Sequence, residues 1–376
     1  MAHETYDIVV VGAGIAGASI AAELCAHARV LLLERESQPG YHTTGRSAAV
    51  FAGTYGPPII RALSRASKSF FDNPRSEFIS HPLLKPRGLL FTARQDQLSH
   101  LDELQEELGD TVTRIDANKA RDIQPLLQTQ YINAALYDEK SADIDVDALH
   151  QHYLKTFRAL GGEIQTTCEV TGLSNGSTGW TIETPEDEYQ TAIIVNAAGA
   201  WADELAKLAN LPAAGLTPKR RTALLVSPPN EMDIEQLPMT VDVEEQFYLK
   251  PDAGKLLLSP ADETPSAPCD AQPEELDVAI CVDRIEKAFD LQVRRIDHKW
   301  AGLRSFFPDK CPIAGFDPSA EGFFWLAGQG GYGIQSAPAL AKVAASLVLG
   351  RSIPSDIENE GVDANALSRN REGFAA

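Results

Sequence analysis

The stretch from Tyr6 to Glu34 constrains the fold of this chain more than any other part of the sequence. It contains a β-branched run, a glycine turn, an alanine-rich segment and a second apolar run that ends at Glu34. The turn has the spacing GxGxxG, and its glycines are Gly12, Gly14 and Gly17. Strand, turn, helix and strand in this order predict a βαβ unit that binds a dinucleotide.

Each residue type in this unit has a physical role in holding a dinucleotide. Gly12 allows a tight turn, Gly14 leaves room for a pyrophosphate beside the backbone, and Gly17 lets the helix pack closely on the strands. The helix N-terminus offers free N–H groups to phosphate. Glu34 accepts hydrogen bonds from ribose but repels a 2′-phosphate, so the unit favours FAD or NAD over NADP. Its candidate cofactor-binding residues are Gly12, Ala13, Gly14, Ile15, Ala16, Gly17, Glu34 and Arg35.

Composition and charge exclude several classes of partner. The chain has 376 residues, of which 44% are hydrophobic and 23% charged, so two domains with sizeable cores are expected. The net charge of −20 argues against nucleic acid or an anionic membrane surface as a partner. The five cysteines show no metal-ligand spacing, and no segment resembles a signal peptide or a transmembrane helix. We therefore expect a cytoplasmic protein without a bound metal; peripheral contact with a membrane through electron transfer stays open.

A second glycine turn, GQGGYG, lies near the other end of the chain at Gly328 to Gly333. It follows an apolar strand and precedes a helix, so it predicts a second nest of backbone N–H donors. A packing role for these glycines is the alternative. Two such nests suit a large cofactor held by both ends of the chain, which favours FAD over NAD. A small-residue turn around Gly199 offers a third surface for the same ligand.

The separation of these turns along the sequence predicts discontinuous domains. We expect an α/β protein with a Rossmann-like FAD-binding domain, built on a central parallel sheet, and an α+β substrate domain on a mixed, largely antiparallel sheet. The expected segments are 1–49, 142–208 and 311–376 for the FAD-binding domain and 50–141 and 209–310 for the substrate domain. The tail beyond Ser355 is expected to be frayed.

Several separated motifs accompany the βαβ unit: HTTGRSA (42–48), VNAAGAWA (195–202), WAGLRS (300–305) and GQGGYGIQ (328–335). Together they resemble the flavin-dependent amine oxidoreductase family, which includes D-amino acid, glycine and sarcosine oxidases. The resemblance extends over almost the whole chain. Within that family, GYHTTGRSAA, PKRR, FYLKPDAG and WAGLRSF are most similar to the bacterial D-arginine dehydrogenase branch.

The resemblance implies a noncovalently bound FAD that contacts residues well beyond the βαβ unit. The further cofactor-binding residues that it implies are His42, Thr43, Thr44, Gly45, Arg46, Ser47, Ala48, Val170, Ala198, Gly199, Gly302, Gly330, Gly331, Tyr332, Gly333, Ile334 and Gln335. A purely structural role is the alternative for His42.

The resemblance also assigns residues to an amino-acid substrate. The candidate catalytic residues are Arg221, Tyr248, Arg304 and Tyr55, and the candidate pocket residues are Leu89, Val50, Met239, Val241 and Gly331. Two guanidinium groups and a phenol suit a carboxylate, which they would orient as well as neutralise. Two alternatives stay open: Lys219-Arg220-Arg221 could be a solvated basic run, and either Phe247 or Tyr248 could face the pocket.

The implied reaction is oxidative deamination of a D-amino acid. Hydride leaves Cα for flavin N5, and water then hydrolyses the imino acid to a 2-oxo acid and ammonia. The sequence departs from the D-arginine branch at Leu89, where that branch has a carboxylate for the substrate's guanidinium. Because an isobutyl group cannot pair with a cation, we expect substrates with neutral or apolar side chains.

Two other functions stay open at this point. One is oxidation of glycine, sarcosine or another N-alkyl amino acid, and the other is the role of a flavoprotein subunit in a larger amine or opine dehydrogenase complex. The sequence leaves the electron acceptor, the preferred enantiomer and the choice between a monomer and a small homo-oligomer undecided.

Overall fold

The computed structural model describes residues 4–229, 232–371 and 374. Its strands are β1 (Glu4–Val11), β2 (Val30–Leu33), β3 (Val50–Phe51), β4 (Leu84–Pro86), β5 (Leu89–Ala93), β6 (Thr113–Asp116), β7 (Ala134–Asp138), β8 (Ala142–Ile144), β9 (Glu163–Gln165), β10 (Gly172–Gly176), β11 (Gly179–Glu183), β12 (Glu188–Asn196), β13 (Thr217–Val226), β14 (Met239–Asp242), β15 (Tyr248–Asp252), β16 (Lys255–Ser259), β17 (Thr264–Pro265), β18 (His298–Phe306), β19 (Ile313–Phe316) and β20 (Phe323–Ala327). Its α-helices are α1 (Ile15–Cys25), α2 (Pro58–Asp72), α3 (Leu98–Leu108), α4 (Ala117–Ile123), α5 (Val146–Ala159), α6 (Ala202–Leu208), α7 (Glu275–Ala288), α8 (Gly333–Val348) and α9 (Ser355–Glu358). Within these ranges, no helix combines the length and the apolar character that a membrane span requires.

The first sheet contains the expected parallel core. Five parallel strands lie in the order β9, β2, β1, β12 and β20, while β19 and the β10–β11 hairpin add antiparallel strands. The register pairs Val11 with both Asn196 and Leu33, so the carboxyl ends of three strands meet at one edge. Ligands of open parallel sheets bind at such an edge. This arrangement confirms the predicted Rossmann-like sheet.

The side chains of β1 alternate between two apolar cores. Ile8 and Val10 pack into a core shared with α1, α2, α5 and α8. Val9 and Val11 face a second core, which includes residues of α6 and of the β10–β11 hairpin. The sheet is therefore covered on both faces, which explains why β1 and β2 read as continuous apolar runs. Because α2 shares the first core, part of the segment predicted for the substrate domain packs on the nucleotide side, and the domain boundaries stay a prediction.

The second sheet is mixed and largely antiparallel, as predicted. Its strand order is β17, β13, β16, β15, β14, β5, β7 and β6, with β18 paired along β13. Among the described strands of this sheet, β14 and β5 form its parallel pair. The β13–β18 pairing runs from Thr217 opposite Phe306 to Leu225 opposite His298. A small third sheet joins β3, β8 and β4.

Residues 355–371 are packed against the body of the protein, so over this range the expectation of a frayed tail was wrong. Ile357 and Leu367 are buried in the first core. Arg369 pairs with the buried carboxylate of Asp317 and donates to the carbonyl oxygens of Pro212 (2.9 Å) and Ala213 (3.1 Å). The tail is polar in composition, and its order comes from a few specific contacts that have no periodic pattern.

Substituting Arg369 by methionine should destabilise the protein by about 3–5 kcal/mol, because Asp317 would remain buried without its counter-charge. Urea unfolding of the holoprotein measures the change. The control is Arg29→Met, which removes a half-exposed arginine paired with Glu163 and should leave the midpoint nearly unchanged. Equal effects of the two substitutions would contradict the anchoring role of Arg369.

Candidate functional site

A cavity of about 840 Å³ opens at the carboxyl edge of the first sheet and continues towards the second sheet. Its volume lies towards the upper end of the range for ligand pockets in proteins. Residues from the first glycine turn, from the Gly328–Gly333 turn and from the region of Gly199 all border it. The three separated turns that the sequence singled out therefore surround one space.

The first glycine turn presents its backbone to this cavity. Gly12 has φ +101°, and a Cβ there would lie 2.5 Å from the carbonyl oxygen of Ala197. A Cβ on Gly14 would meet only Thr44 Oγ1, at 3.1 Å. Gly14 caps α1 without a side-chain hydrogen bond, and the first turn of α1 carries no acidic residue. The Ile15 amide donates to Thr44 Oγ1 at 2.9 Å, and the rest of the amino end of α1 faces the cavity as an open site for an anion.

The residues around Glu34 stabilise this turn. Glu34 Oε2 accepts a hydrogen bond from the Ala13 amide at 2.8 Å, and Oε1 accepts one from the Glu36 amide at 2.9 Å. On the other side, His150 Nε2 donates to the Ala13 carbonyl oxygen at 2.9 Å. Burial lowers the pKa of His150, which keeps the ring neutral. His150 is not among the residues predicted from the sequence, because nothing in its local sequence marks a contact with a turn so far away in the chain.

The second glycine turn is shaped by aromatic rings. Gly328 and Gly330 have φ values of +81° and +54°, and Cβ atoms there would lie 2.3 Å from the Phe307 ring and 2.1 Å from the Phe306 ring. Gly330 donates from its amide to the carbonyl oxygen of Ser305 at 3.0 Å. The rings occupy one side of the turn, so the other side lies open to the cavity.

Much of the segment after Glu34 borders the cavity, including Arg35, Gly40 and Arg46. Arg46 ties this loop to the second sheet: its Nη1 donates to the carbonyl oxygens of Ala271 (3.0 Å) and Ala301 (2.9 Å), and its guanidinium pairs with Asp270. Trp300 Nε1 donates to the Arg46 carbonyl oxygen at 3.0 Å. Most donors of Arg46 are thus used within the protein.

An aromatic cluster at the cavity mouth was not anticipated. The Arg35 guanidinium lies 4.3 Å from the centre of the Trp201 ring, and the His42 ring centre lies 4.7 Å from it. His42 Nε2 also lies 2.9 Å from Glu36 Oε1. These contacts agree with the structural alternative for His42. Trp201 lies within the motif VNAAGAWA, which could have indicated it.

The inner end of the cavity is bordered by Arg221, Tyr248 and Arg304. Arg221 is only 7% exposed, and its neighbour Arg220 points to Asp277 instead, so Lys219 to Arg221 is not a uniformly solvated run. Phe247 packs in the core against Phe289, which leaves Tyr248 on the cavity side. The structure thus brings together three of the four candidate catalytic residues.

Arg304 has neither a hydrogen-bond nor an ion-pair partner in the described part of the chain. Burial disfavours its charged form, but the pKa of Arg304 is raised overall by Tyr248 and Tyr55, which act once they ionise, and by the negative charge of Glu245. Tyr55 stacks edge to face on Tyr332, with ring centres 5.0 Å apart. Burial raises the pKa of Tyr55, so its phenol remains protonated near neutral pH.

Several predicted site residues lie next to the cavity without bordering it. Leu89 is 3% exposed in a cluster with Ala52, against which Val50, Tyr55, Met239 and Val241 pack. Met239 and Val241 also contact the cluster around Tyr248. This apolar group therefore lies behind Tyr248, and its assignment to the substrate pocket stays a prediction.

Five predicted cofactor residues also do not border the cavity: Ala13, Gly17, Gly45, Tyr332 and Gln335. Gly17 serves close packing, since a Cβ there would lie 1.7 Å from the Gly12 carbonyl oxygen. Gln335 Oε1 accepts from the Ala52 amide at 3.0 Å, and Tyr332 packs against Phe306. Their contacts support the turns and the loop. No cluster of potential metal ligands occurs among residues 4–229, 232–371 and 374.

Comparison with known proteins identifies the family. A family model described as "FAD dependent oxidoreductase" (DAO) matches residues 7–347. The chain belongs to this family of FAD-dependent oxidoreductases. L-2-hydroxyglutarate dehydrogenase of Escherichia coli (strain UMN026) is 30% identical over 219 residues, covering 55% of this chain and 50% of that protein. Human dimethylglycine dehydrogenase is 27% identical over 263 residues, covering 65% of this chain and 30% of that protein.

The chain thus matches half or less of the length of these two relatives. The crystal structure of glycine oxidase from Geobacillus kaustophilus superposes with a TM-score of 0.80 at 22% identity, covering 93% of this chain and 96% of that one. This similarity confirms the fold. The resemblance to the wider flavoprotein family is likewise confirmed, whereas the D-arginine dehydrogenase branch stays a prediction.

The donor set of the cavity fits FAD. The open amino end of α1 suits a phosphate, and the Glu34 carboxylate suits a ribose. The backbone of Gly330 and Gly331 would lie against the isoalloxazine ring. Gln329 also borders the cavity, and its buried Nε2 has no partner within the described residues. Cys311 does not border the cavity, and its Sγ contacts the Asp309 carbonyl oxygen at 3.4 Å. The Cys311 thiol is therefore not placed to form a covalent link with a flavin, which agrees with noncovalent binding.

Substituting Gly14 by alanine should weaken FAD binding at least about tenfold, or about 1.4 kcal/mol. The new methyl group would lie 3.1 Å from Thr44 Oγ1 and narrow the space left for a pyrophosphate beside the turn, while the φ of −71° tolerates alanine. Fluorescence titration of apoprotein with FAD measures the dissociation constant. Gly176→Ala is the control, because a Cβ there meets only the Gly179 carbonyl oxygen at 3.9 Å. An unchanged affinity in Gly14→Ala would rule out pyrophosphate at this turn.

Proposed function

We propose that the protein oxidises amino acids at the Cα–N bond with FAD as the electron acceptor, and that it prefers D-amino acids with neutral or apolar side chains. The observation that carries the proposal is Arg304: a guanidinium on the cavity wall, beside Gly331, without an anionic partner in the described chain. A partly buried cation without a partner favours the binding of an anionic counter-ion. The carboxylate of an amino acid supplies it.

Three side chains position this carboxylate. Arg304 and Arg221 neutralise it, and the Tyr248 hydroxyl donates a further hydrogen bond. Because a guanidinium binds a carboxylate along a planar edge, it orients the substrate as well as attracting it. The orientation directs the substrate's Cα–H towards the cofactor in a geometry suited to reaction.

The remaining chemistry needs little from the protein. FAD, when bound, accepts the electron pair of the Cα–H bond. Tyr55 and Tyr332 cover the space beside Arg304 and limit the access of water during this step. The substrate amine releases its protons to solvent, and water hydrolyses the resulting imino acid to a 2-oxo acid and ammonia. No acidic side chain or histidine borders the inner end of the cavity within the described residues, so the neutral amine itself is the form that reacts.

Leu89 supports the substrate class. Its side chain lies at the start of β5, opposite Met239, in an apolar group that includes Val50. A cationic side chain placed here would lose its hydration without gaining a partner. The D-preference rests on the sequence resemblance.

Oxidation of glycine or an N-alkyl amino acid is the second candidate. It is favoured by the tight packing of Leu89 in the wall behind Tyr248, which leaves little room for a side chain. The similarity to human dimethylglycine dehydrogenase and to a glycine oxidase structure also supports it.

A panel of substrates added anaerobically separates these candidates, because a turned-over substrate bleaches the flavin absorbance. We expect D-leucine and D-methionine to bleach it with a kcat/KM at least about tenfold above that of D-arginine. Faster reduction by glycine or sarcosine would favour the second candidate. Reduction by L-2-hydroxyglutarate alone would contradict amino-acid oxidation, and L-leucine tests the enantiomer. Admission of air then reports reactivity with oxygen.

Substituting Arg304 by methionine should lower kcat/KM roughly 30- to 5,000-fold, which corresponds to a loss of about 2–5 kcal/mol of transition-state stabilisation. The reason is that the substrate carboxylate would lose a charged partner. Initial rates with the best substrate of the panel measure the effect. The control is Arg295→Met, which removes a guanidinium that is 84% exposed. It should change kcat/KM less than about twofold. If the Arg304→Met variant keeps its activity, the substrate carboxylate does not bind at Arg304.

A further inference from the structure

An acidic residue that the proposed reaction does not use, Glu263, contacts an arginine of the carboxylate site from outside the cavity. Arg221 Nη2 donates to Glu263 Oε1 at 3.2 Å. The Nε of Arg221 is buried and has no partner within the described residues. One side of the Arg221 guanidinium is thus bound by a protein side chain. Arg304, which borders the same cavity, has no such partner within the described residues. The two arginines of the site are not equivalent.

Glu263 bridges two cations on one face of β13. Its Oε2 accepts a hydrogen bond from Lys219 Nζ at 2.7 Å, and Lys219 lies two residues before Arg221. Burial raises the pKa of Glu263, but the adjacent Lys219 ammonium outweighs burial and lowers it. Glu263 is therefore ionised at neutral pH, with Arg221 and Lys219 sharing its charge.

Glu263 is also held in place from both sides along the chain. The preceding residue, Asp262, accepts hydrogen bonds from the amide (2.6 Å) and the hydroxyl (3.0 Å) of Thr222. The following residues, Thr264 and Pro265, form β17 and pair with β13. A carboxylate fixed in this way differs from a surface acid that rotates freely, because its position relative to Arg221 is set by the backbone.

We propose that Glu263 is a positioning residue that fixes the Arg221 guanidinium in the cavity wall and limits how tightly the site binds a carboxylate. The proposal rests on the proposed function, in which Arg221 and Arg304 bind the substrate's carboxylate. Glu263 restricts the rotation of Arg221, which favours productive orientation. Its negative charge also opposes an incoming anion, which favours release of the 2-oxo acid product.

Two variants separate the two effects. Glu263→Gln keeps an oxygen that accepts from Arg221 and removes the charge, so carboxylate binding should tighten about three- to tenfold. Glu263→Leu removes the acceptor as well and frees Arg221, so it should bind carboxylate more weakly than Glu263→Gln and lower kcat. The control is Glu274→Gln: Glu274 pairs with Arg220, the neighbouring arginine that points away from Arg221.

The probe is propionate, which has a carboxylate but no amine to oxidise, and propionamide is its uncharged counterpart. Binding to the holoenzyme is measured from the change in flavin absorbance, at low and high salt. We expect Glu263→Gln to lower the Kd of propionate and to leave that of propionamide unchanged, with a difference that shrinks as salt screens the charge. For the best substrate, KM should fall while kcat changes less than about twofold.

Three results would overturn the proposal: an unchanged or higher propionate Kd in Glu263→Gln, an equal effect of Glu274→Gln, or tighter binding in Glu263→Leu than in Glu263→Gln. Failure of the underlying function gives a different result. If the unsubstituted holoenzyme binds propionate no better than propionamide, and Arg304→Met does not alter this, then the carboxylate site itself is absent.

Discussion

The close packing of β18 against the second glycine turn determines how the two halves of the site meet. Arg304 lies on Gly331, with Nη1 3.0 Å from the position of a Cβ, while the ring of Phe306 lies against Gly330 and the ring of Phe307 against Gly328. The end of β18 therefore shapes the second glycine turn and carries an arginine of the proposed carboxylate site. The backbone of the turn touches these side chains so closely that no methyl group would fit between them. The distance between the cofactor turn and the proposed carboxylate site is therefore set by packing.

The charges of the site follow from this arrangement. β18 pairs with β13 so that Arg304 lies opposite Lys219, and Arg221 lies opposite Gly302. Three cations thus share one face, and Glu263 compensates for only part of their charge. This local excess of positive charge exists in a chain with a net charge of −20. The net charge of the protein therefore does not predict whether the cavity binds an anion. That affinity depends on the few charged side chains close to the cavity.

The sequence predicted the cofactor half of the site better than the substrate half. The glycines of the two turns are recognisable because a positive φ or a close approach excludes other residues there, as at Gly12 and Gly330. Contacts such as those of His150 with Ala13, of Glu263 with Arg221 and of Arg369 with Asp317 join positions far apart in the chain. Such pairs have no periodicity, so they become visible only when the chain is folded. The polar tail was misjudged for the same reason.

The substrate wall and the loop that carries Tyr55 are physically linked. Leu89 pairs with Asp138 across β5 and β7, and Asp138 Oδ2 accepts a hydrogen bond from Thr54 Oγ1 at 2.9 Å. Both groups are buried, and the same Asp138 carboxylate also accepts hydrogen bonds from Ser141 Oγ (2.8 Å) and from the Lys140 amide (2.9 Å). A substitution that enlarges the wall at Leu89 therefore acts beside the group that holds the Tyr55 loop. In the proposed function, the residue that selects the substrate side chain and the group that holds the Tyr55 loop share one row of the sheet, so the substrate class depends on more than the absence of charge at Leu89.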